Sequence, residues 1–192
     1  MKIALIILAV AAVVGLLVAG CSSVRGGYES APYQVVRSVG KFELRNYPAL
    51  VVVEVPMRGA DDSFTRLFRY IGGKNDAKQK ISMTTPVYMS GENTNATMAF
   101  VMPKTMSASQ TPKPGDPGLT VREISGGQFA VLRFSGGRSR NHETNALEKL
   151  EAWLAAQKLK PEGEPIYGYF DPPWTPSFLR RNEVMLRVSQ PK

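Results

Sequence analysis

Cysteine and histidine are nearly missing from this 192-residue chain, which holds one of each, Cys21 and His142. A single cysteine rules out an internal disulfide and any Cys-x-x-Cys metal or redox motif. A single histidine rules out His-Glu-x-x-His zinc chemistry, and without a Gly-x-Ser-x-Gly elbow little remains for a Ser–His arrangement. Gly72-Gly73-Lys74 follows a helical pattern instead of opening one, so it is no phosphate loop. Asp61 and Asp62 are neighbours that suit a helix cap, not carboxylates facing each other across a substrate. Acidic residues are also short, 16 against 24 Lys and Arg, leaving a net charge of +8. Such a surplus suits a polyanion or an anionic lipid surface. Nothing here predicts an enzyme.

The N-terminus decides between those two partners. Met1-Lys2 is followed by an apolar run from Ile3 to Val18, broken only by Gly15, and then by Ala19-Gly20-Cys21. Small residues ahead of a cleavage point mark an export signal. Cysteine directly after Ala-Gly resembles the lipobox of bacterial lipoproteins, in which the thiol is acylated and the signal removed. The expected organisation is a signal peptide over 1–20, a lipidated Cys21 with a flexible Gly-containing tether to residue 32, and one domain over 33–190. The partner is then a membrane and not nucleic acid. The domain, lacking a disulfide, is held by packing and expected to be monomeric.

Alternation predicts strands at Tyr33–Val39 and Lys41–Tyr47 with Gly40 as the turn, and the apolar run Ala49–Val55 predicts a third. Asp61-Asp62-Ser63 opens a helix with Phe64, Leu67, Phe68 and Ile71 on one apolar face and Arg66, Arg69 and Tyr70 off it. Gly72-Gly73 ends it. Ile81–Val87 and Thr97–Met102 predict strands joined through Gly91-Glu92-Asn93, and Pro103–Gly118 a long surface loop. Leu119–Ile124 and Phe129–Phe134 follow as strands, then a helix from Asn141 to Gln157 carrying Leu147, Leu150 and Leu154 on one face, then strands at Pro165–Phe170 and Glu183–Val188. The order strand–strand–helix–strand–strand thus occurs twice, with the long loop as the joint. Two such units sharing one sheet predict an α+β fold with both helices outside.

Between the last two strands lies Asp171-Pro172-Pro173-Trp174-Thr175-Pro176, then Phe178-Leu179-Arg180-Arg181-Asn182-Glu183-Val184. Three prolines exclude helix and stiffen the loop. Aromatics on such a loop either fold back onto the core or face a ligand. This stretch resembles the SOUL haem-binding family. Tyr70–Asn75, Lys80–Val87, Phe100–Pro103 and Val131–Gly136 resemble further family segments in the same order. The resemblance runs from about Tyr33 to Val188.

It implies a distorted β-barrel flanked by two helices, and non-covalent binding of haem or another tetrapyrrole against the first helix and the Pro-rich loop. Carried onto this chain, Phe64, Leu67, Phe68, Trp174 and Phe178 would give the apolar contacts, and Arg66, Arg69 or Arg180 would meet the propionates. Some relatives carry a ligating histidine where Asn46 stands here, so no strong axial protein ligand is expected. His142 lies among polar residues and is not expected to bind iron. The expected protein is a tetrapyrrole binder anchored in the bacterial cell envelope, facing the periplasm. Ser22 does not resemble an inner-membrane retention signal, which favours the outer membrane. An envelope interaction module, or a binder of another hydrophobic ligand on the same scaffold, is the alternative. A haem-handling enzyme would need an acid–base constellation that the sequence does not offer.

Overall fold

The computed structural model describes residues 27–57, 62–91 and 95–189. Cys21, the apolar run before it, most of the tether, Asp61 and the Glu92-Asn93 turn lie outside the described residues. The elements are β1 (Glu29–Ser30), β2 (Gln34–Val39), β3 (Phe42–Tyr47), β4 (Leu50–Pro56), α1 (Ser63–Ile71), β5 (Thr84–Thr85), β6 (Val87–Ser90) and β7 (Thr97–Val101). They continue with β8 (Thr120–Ile124), β9 (Gly127–Phe134), α2 (Arg140–Ala156), β10 (Lys160–Tyr169) and β11 (Asn182–Ser189). Nine strands form one antiparallel sheet in the order β2-β3-β9-β11-β10-β6-β7-β4-β8. The α+β class is as expected. The sheet is not closed into a barrel by hydrogen bonds, because β2 and β8 remain its edges.

The strand order explains the curl. Strands β3 and β4 are nearly continuous, and so are β8 and β9. Tyr47 pairs with Gly127 and, across the corner, Leu50 pairs with Ile124 at the same offset. The backbones press together at that corner. A Cβ on Gly126 would lie 2.9 Å from Tyr47 O, Pro48 C and Ala49 N, so only glycine fits without moving backbone.

Side-chain alternation then sorts residues between two faces. The inner face gathers Tyr47, Leu50, Val52, Tyr88, Ala99, Val101, Phe129, Val131 and Met185. On the outer face α1 covers Val53, Val55, Met98 and Phe100, while α2 covers Leu44, Ala130, Leu132, Val184 and Leu186. Leu150 and Leu154 are buried beneath α2, each contributing about 1.5–3 kcal/mol of apolar burial. Ser139 caps α2, its Oγ accepting from His142 N at 3.3 Å.

Three local expectations are corrected. Residues 29–31 are not loose tether: β1 pairs in parallel with β5, Ala31 N donates to Thr85 O at 2.8 Å, and Ala31 is buried. Ile81–Met83 are outside any strand, and a cis Thr85–Pro86 bond separates β5 from β6. Tyr70 is fully buried, because the 103–118 loop folds over α1 and the Tyr70 hydroxyl donates to Pro112 O at 2.8 Å. Burial pushes that hydroxyl's pKa up to about 12.

Candidate functional site

The middle of the inner face offers no room for a ligand. Arg45 fills it and is completely buried. Its Nη1 and Nη2 donate to Glu183 Oε2 and Oε1 at 2.7 and 2.9 Å, its Nε to Glu43 Oε2 at 2.7 Å, and Nη1 also to the Tyr47 hydroxyl at 2.9 Å. The guanidinium lies 4.1 Å from the Tyr33 ring centroid, a cation–π contact. Arg181 donates to the same Glu183 Oε1 from Nη2 at 2.6 Å and rests over the Phe170 ring. Arg133 reaches Glu43 at 2.9 Å. Burial alone would neutralise Glu183, but Arg45 and Arg181 reverse this and hold its carboxyl below the ordinary value. Burial raises the Tyr47 hydroxyl to about 12 against the pull of Arg45. Around Tyr47, Leu50, Tyr88 and Phe129 only a void of about 10 Å³ is left, against the several hundred Å³ of small-molecule pockets.

The outer face differs, because each helix covers its own half of the sheet. The seam between them, β6 beside β10, has Met89 opposite Tyr167 and Val87 opposite Tyr169, all four half-buried. A cleft of about 300 Å³ opens over it, lined by Met57, Met89, Tyr167, Arg138, Arg140, Glu143 and Thr144 among others. The Tyr169 hydroxyl bonds Glu143 across its α2 wall. Burial, then that carboxylate, raises the pKa of the Tyr169 hydroxyl. On the α1 side Phe64 packs edge-on to Phe100 at 5.2 Å and stacks on Phe68 at 6.0 Å. Both are exposed although they belong to the helix's apolar stripe.

The residues singled out from sequence divide accordingly. Phe64 and Phe68 line open surface. Leu67 does not, because the helix turns it fully into the core, and it is corrected to a packing residue. Trp174 and Phe178 are 78% and 74% exposed, so the Pro-rich loop does not fold them back onto the core. Arg180 holds that loop together: its Nε donates to Thr175 O at 2.7 Å and its Nη2 to Pro173 O. Arg66 forms a two-point ion pair with Asp116, Nε to Oδ2 at 2.8 Å and Nη2 to Oδ1 at 2.7 Å. The arginine, with the Gly118 amide, lowers the Asp116 pKa. Arg69 borders a separate cleft with Arg66, Lys74 and Asp116. Among the described residues no ring contact joins Phe64 or Phe68 to Trp174 or Phe178.

His142 lies in a groove of mixed character, lined by Leu132, Phe134 and Ala146 as well as polar residues. Its Nδ1 lies 2.8 Å from Gly137 O, and Lys41, Arg133 and Lys149 border the same groove. Asn46 is exposed and accepts from Gln128 Nε2 at 3.3 Å. The buried Arg45–Glu183 pair, the seam residues Met89 and Tyr167, and the wall residues Arg138 and Arg140 were not singled out from sequence. The available signal was the alternation Glu43-Arg45-Tyr47, which places charge on one face of a strand.

These elements define a class: a two-helix, nine-stranded α+β domain with a filled interior and an open outer seam. Residues 28–187 match the model of the SOUL heme-binding protein family, and the chain belongs to that family. It is similar to Heme-binding protein 1 of Mus musculus, with 27% identity covering 86% of this chain and 95% of that protein. Two solved structures share the fold. The EcmrR C-terminal domain superposes with a TM-score of 0.57 at 14% identity, covering 82% of this chain and 98% of that one. A hydrolase from Listeria innocua superposes at 0.58 and 11% identity, covering 80% and 94%.

Proposed function

We propose that this protein binds haem or a related tetrapyrrole non-covalently on the outer seam, as a binding protein and not an enzyme, while anchored in the bacterial cell envelope through Cys21. Membership of a haem-binding family supports the ligand class. One observation carries the site: the middle of the inner face is filled by Arg45 and its partners, whereas the Met89–Tyr167 seam stays half-open under a cleft lined by Met57 on one side and Arg140 on the other.

That arrangement fits an amphipathic disc. Phe64, Phe68, Met57 and Met89 give an apolar bed, and thioether side chains adapt to a flat ligand. Arg138 and Arg140 stand where propionates would reach, and guanidinium forks match carboxylates. Arg66 and Arg180 already hold protein partners, and Arg138 faces Glu143 at 4.0 Å; Arg140, the first residue of α2, lines the cleft, and Arg69 remains near the far end of α1. Trp174 and Phe178 follow directly on the strand that forms the seam floor. When bound, haem would supply the iron and its redox or ligand chemistry. Asn46 offers no strong nitrogen ligand, and the reading leaves the iron weakly held by protein.

Haemin titration of the purified protein, followed in the Soret region, tests this reading. Phe68→Ala and Met89→Lys are expected to weaken binding with little loss of melting temperature for the first. Unchanged affinity in both would sink the seam site. The lipobox-like Leu17-Val18-Ala19-Gly20-Cys21 supports the anchor, and the absence of a retention-like residue at Ser22 favours the outer membrane. The domain is proposed to act as a monomer without nucleic acid.

A further inference from the structure

The Pro-rich loop and the place where the chain enters the domain lie at one end of the molecule. Ser30 pairs with Thr85, and Pro86 beside it packs on Gly168, where an added Cβ would sit 3.2 Å from Pro86 Cγ. Tyr169 pairs with Val87, and Phe170 N donates to Arg181 O, closing the neck of the 171–180 loop. Loop and N-terminal strand are therefore separated only by the β5–β6 turn.

The loop is built to present its aromatics. Thr175 is buried, Thr175 N bonds Pro172 O at 3.0 Å, Leu179 N bonds Pro176 O at 2.9 Å, and the Arg180 side chain closes onto two loop carbonyls. Gly136 N ties Ser177 O to the end of β9 at 3.0 Å. Trp174 and Phe178 thus protrude from a fixed frame, and Tyr28, also exposed, precedes β1 at the same end. Large exposed aromatics on rigid backbone suit the interfacial zone of a bilayer, where a ring meets both acyl chain and headgroup.

Two further facts select a membrane. The apolar run Ile3–Val18 and Cys21 put the bilayer just ahead of the domain, whether the run is removed or retained. From Cys21 to Glu29 the chain spans at most about 29 Å, less than the ~40 Å width of a domain of this length. A tether of that reach excludes an inverted domain and keeps the β1 end near the bilayer. Exposed Lys104 lies beside β1 through its amide bond to Glu29, exposed Arg138 follows two residues after Gly136, which holds Ser177, and Asp171 is engaged with the Arg181 amide. Basic side chains there are attracted to anionic headgroups.

We propose that Trp174 and Phe178 form a foot that inserts into the headgroup region of an anionic phospholipid bilayer. This rests on the membrane attachment proposed above and is independent of any tetrapyrrole. The foot sets the domain's orientation on the bilayer.

The test uses the full lipidated chain, free of haem, in vesicles of phosphatidylcholine and phosphatidylglycerol. A Trp153→Phe variant leaves Trp174 as the sole tryptophan, because the chain has two. The expected result is co-flotation with the vesicles, loss of most Trp174 emission when the acyl chains carry bromine near the headgroup, and protection of Trp174 from aqueous iodide. The companion Trp174→Phe variant should leave Trp153 unquenched by bromolipid. Flotation with Trp174 still open to iodide and untouched by bromolipid overturns the foot while the anchor stands. Failure to float overturns both, and equal quenching of the two tryptophans overturns the specific orientation.

Discussion

Leu67 and Phe68 are adjacent on α1 and live in opposite environments: Leu67 has no exposed surface, and Phe68 is 55% exposed. Leu67 packs among Val53, Val55 and Phe100, whereas Phe68 stacks on Phe64 at the surface. Two substitutions separate what this helix does for stability from what it does for binding. Leu67→Ala should cost about 2–5 kcal/mol, the range for a buried leucine. Phe68→Ala should leave urea midpoints nearly unchanged and lower haemin affinity. Equal loss of stability in both would show that Phe68 is a core residue.

Acid should weaken the inner network. The folded-state pKa of Glu183 is depressed, so its contribution is complete above the ordinary carboxylate pKa and is lost as pH falls through the lower folded value. Urea midpoints measured from neutral pH downwards should therefore drop across the acidic range. Glu183→Gln should flatten part of that slope and cost about 3–5 kcal/mol near neutrality, because the buried Arg45 would lose its two-point countercharge and keep only Glu43.

Gly126→Ala should destabilise by about 1–3 kcal/mol, since the added methyl meets backbone and not a flexible side chain. For a domain of this size each kcal/mol corresponds to about 2–4 °C of melting temperature. The same substitution at Gly137, where nothing lies within 4 Å of an added Cβ, is the matched control.

Cys21→Ser should abolish incorporation of labelled lipid and leave an uncleaved precursor. Equal labelling of variant and parent would remove the lipid anchor.

Arg180→Ala should free two loop carbonyls and raise proteolytic cleavage between Asp171 and Arg181, with the melting temperature changing little. Unaltered protection would show that the prolines alone hold the loop.

Much of this architecture is legible in the sequence. Period-two alternation located β3 and β11, the nearly continuous apolar run located β4, and the spacing of Leu150 and Leu154 located α2 and its buried face. Other features depend on long-range geometry. Phe64 and Phe68 share the apolar stripe of Leu67 and Ile71, but α1 docks so that only Leu67 and Ile71 of the four are buried. Glu43 and Arg45 alternate with Phe42 and Leu44, so local pattern assigns the charges to solvent. Only the curl of the sheet, which brings Glu183 on β11 opposite them, puts those charges inside. The seam joins strands from the two halves of the chain, β6 and β10, and no local stretch announces that pairing.

The corner where Gly126 crosses Pro48 also governs how the chain's length can vary. Strand pairs on either side of it keep one register, so one extra residue in either turn would reverse the facing of a whole strand. Arg45 would then point out and Leu44 in. The connection from Met102 to Leu119 has no such neighbour in register and lies over α1. Insertions and deletions among chains with this fold should therefore collect in that connection and spare 47–50 and 124–127, leaving the corner as a fixed ruler for the rest of the sheet.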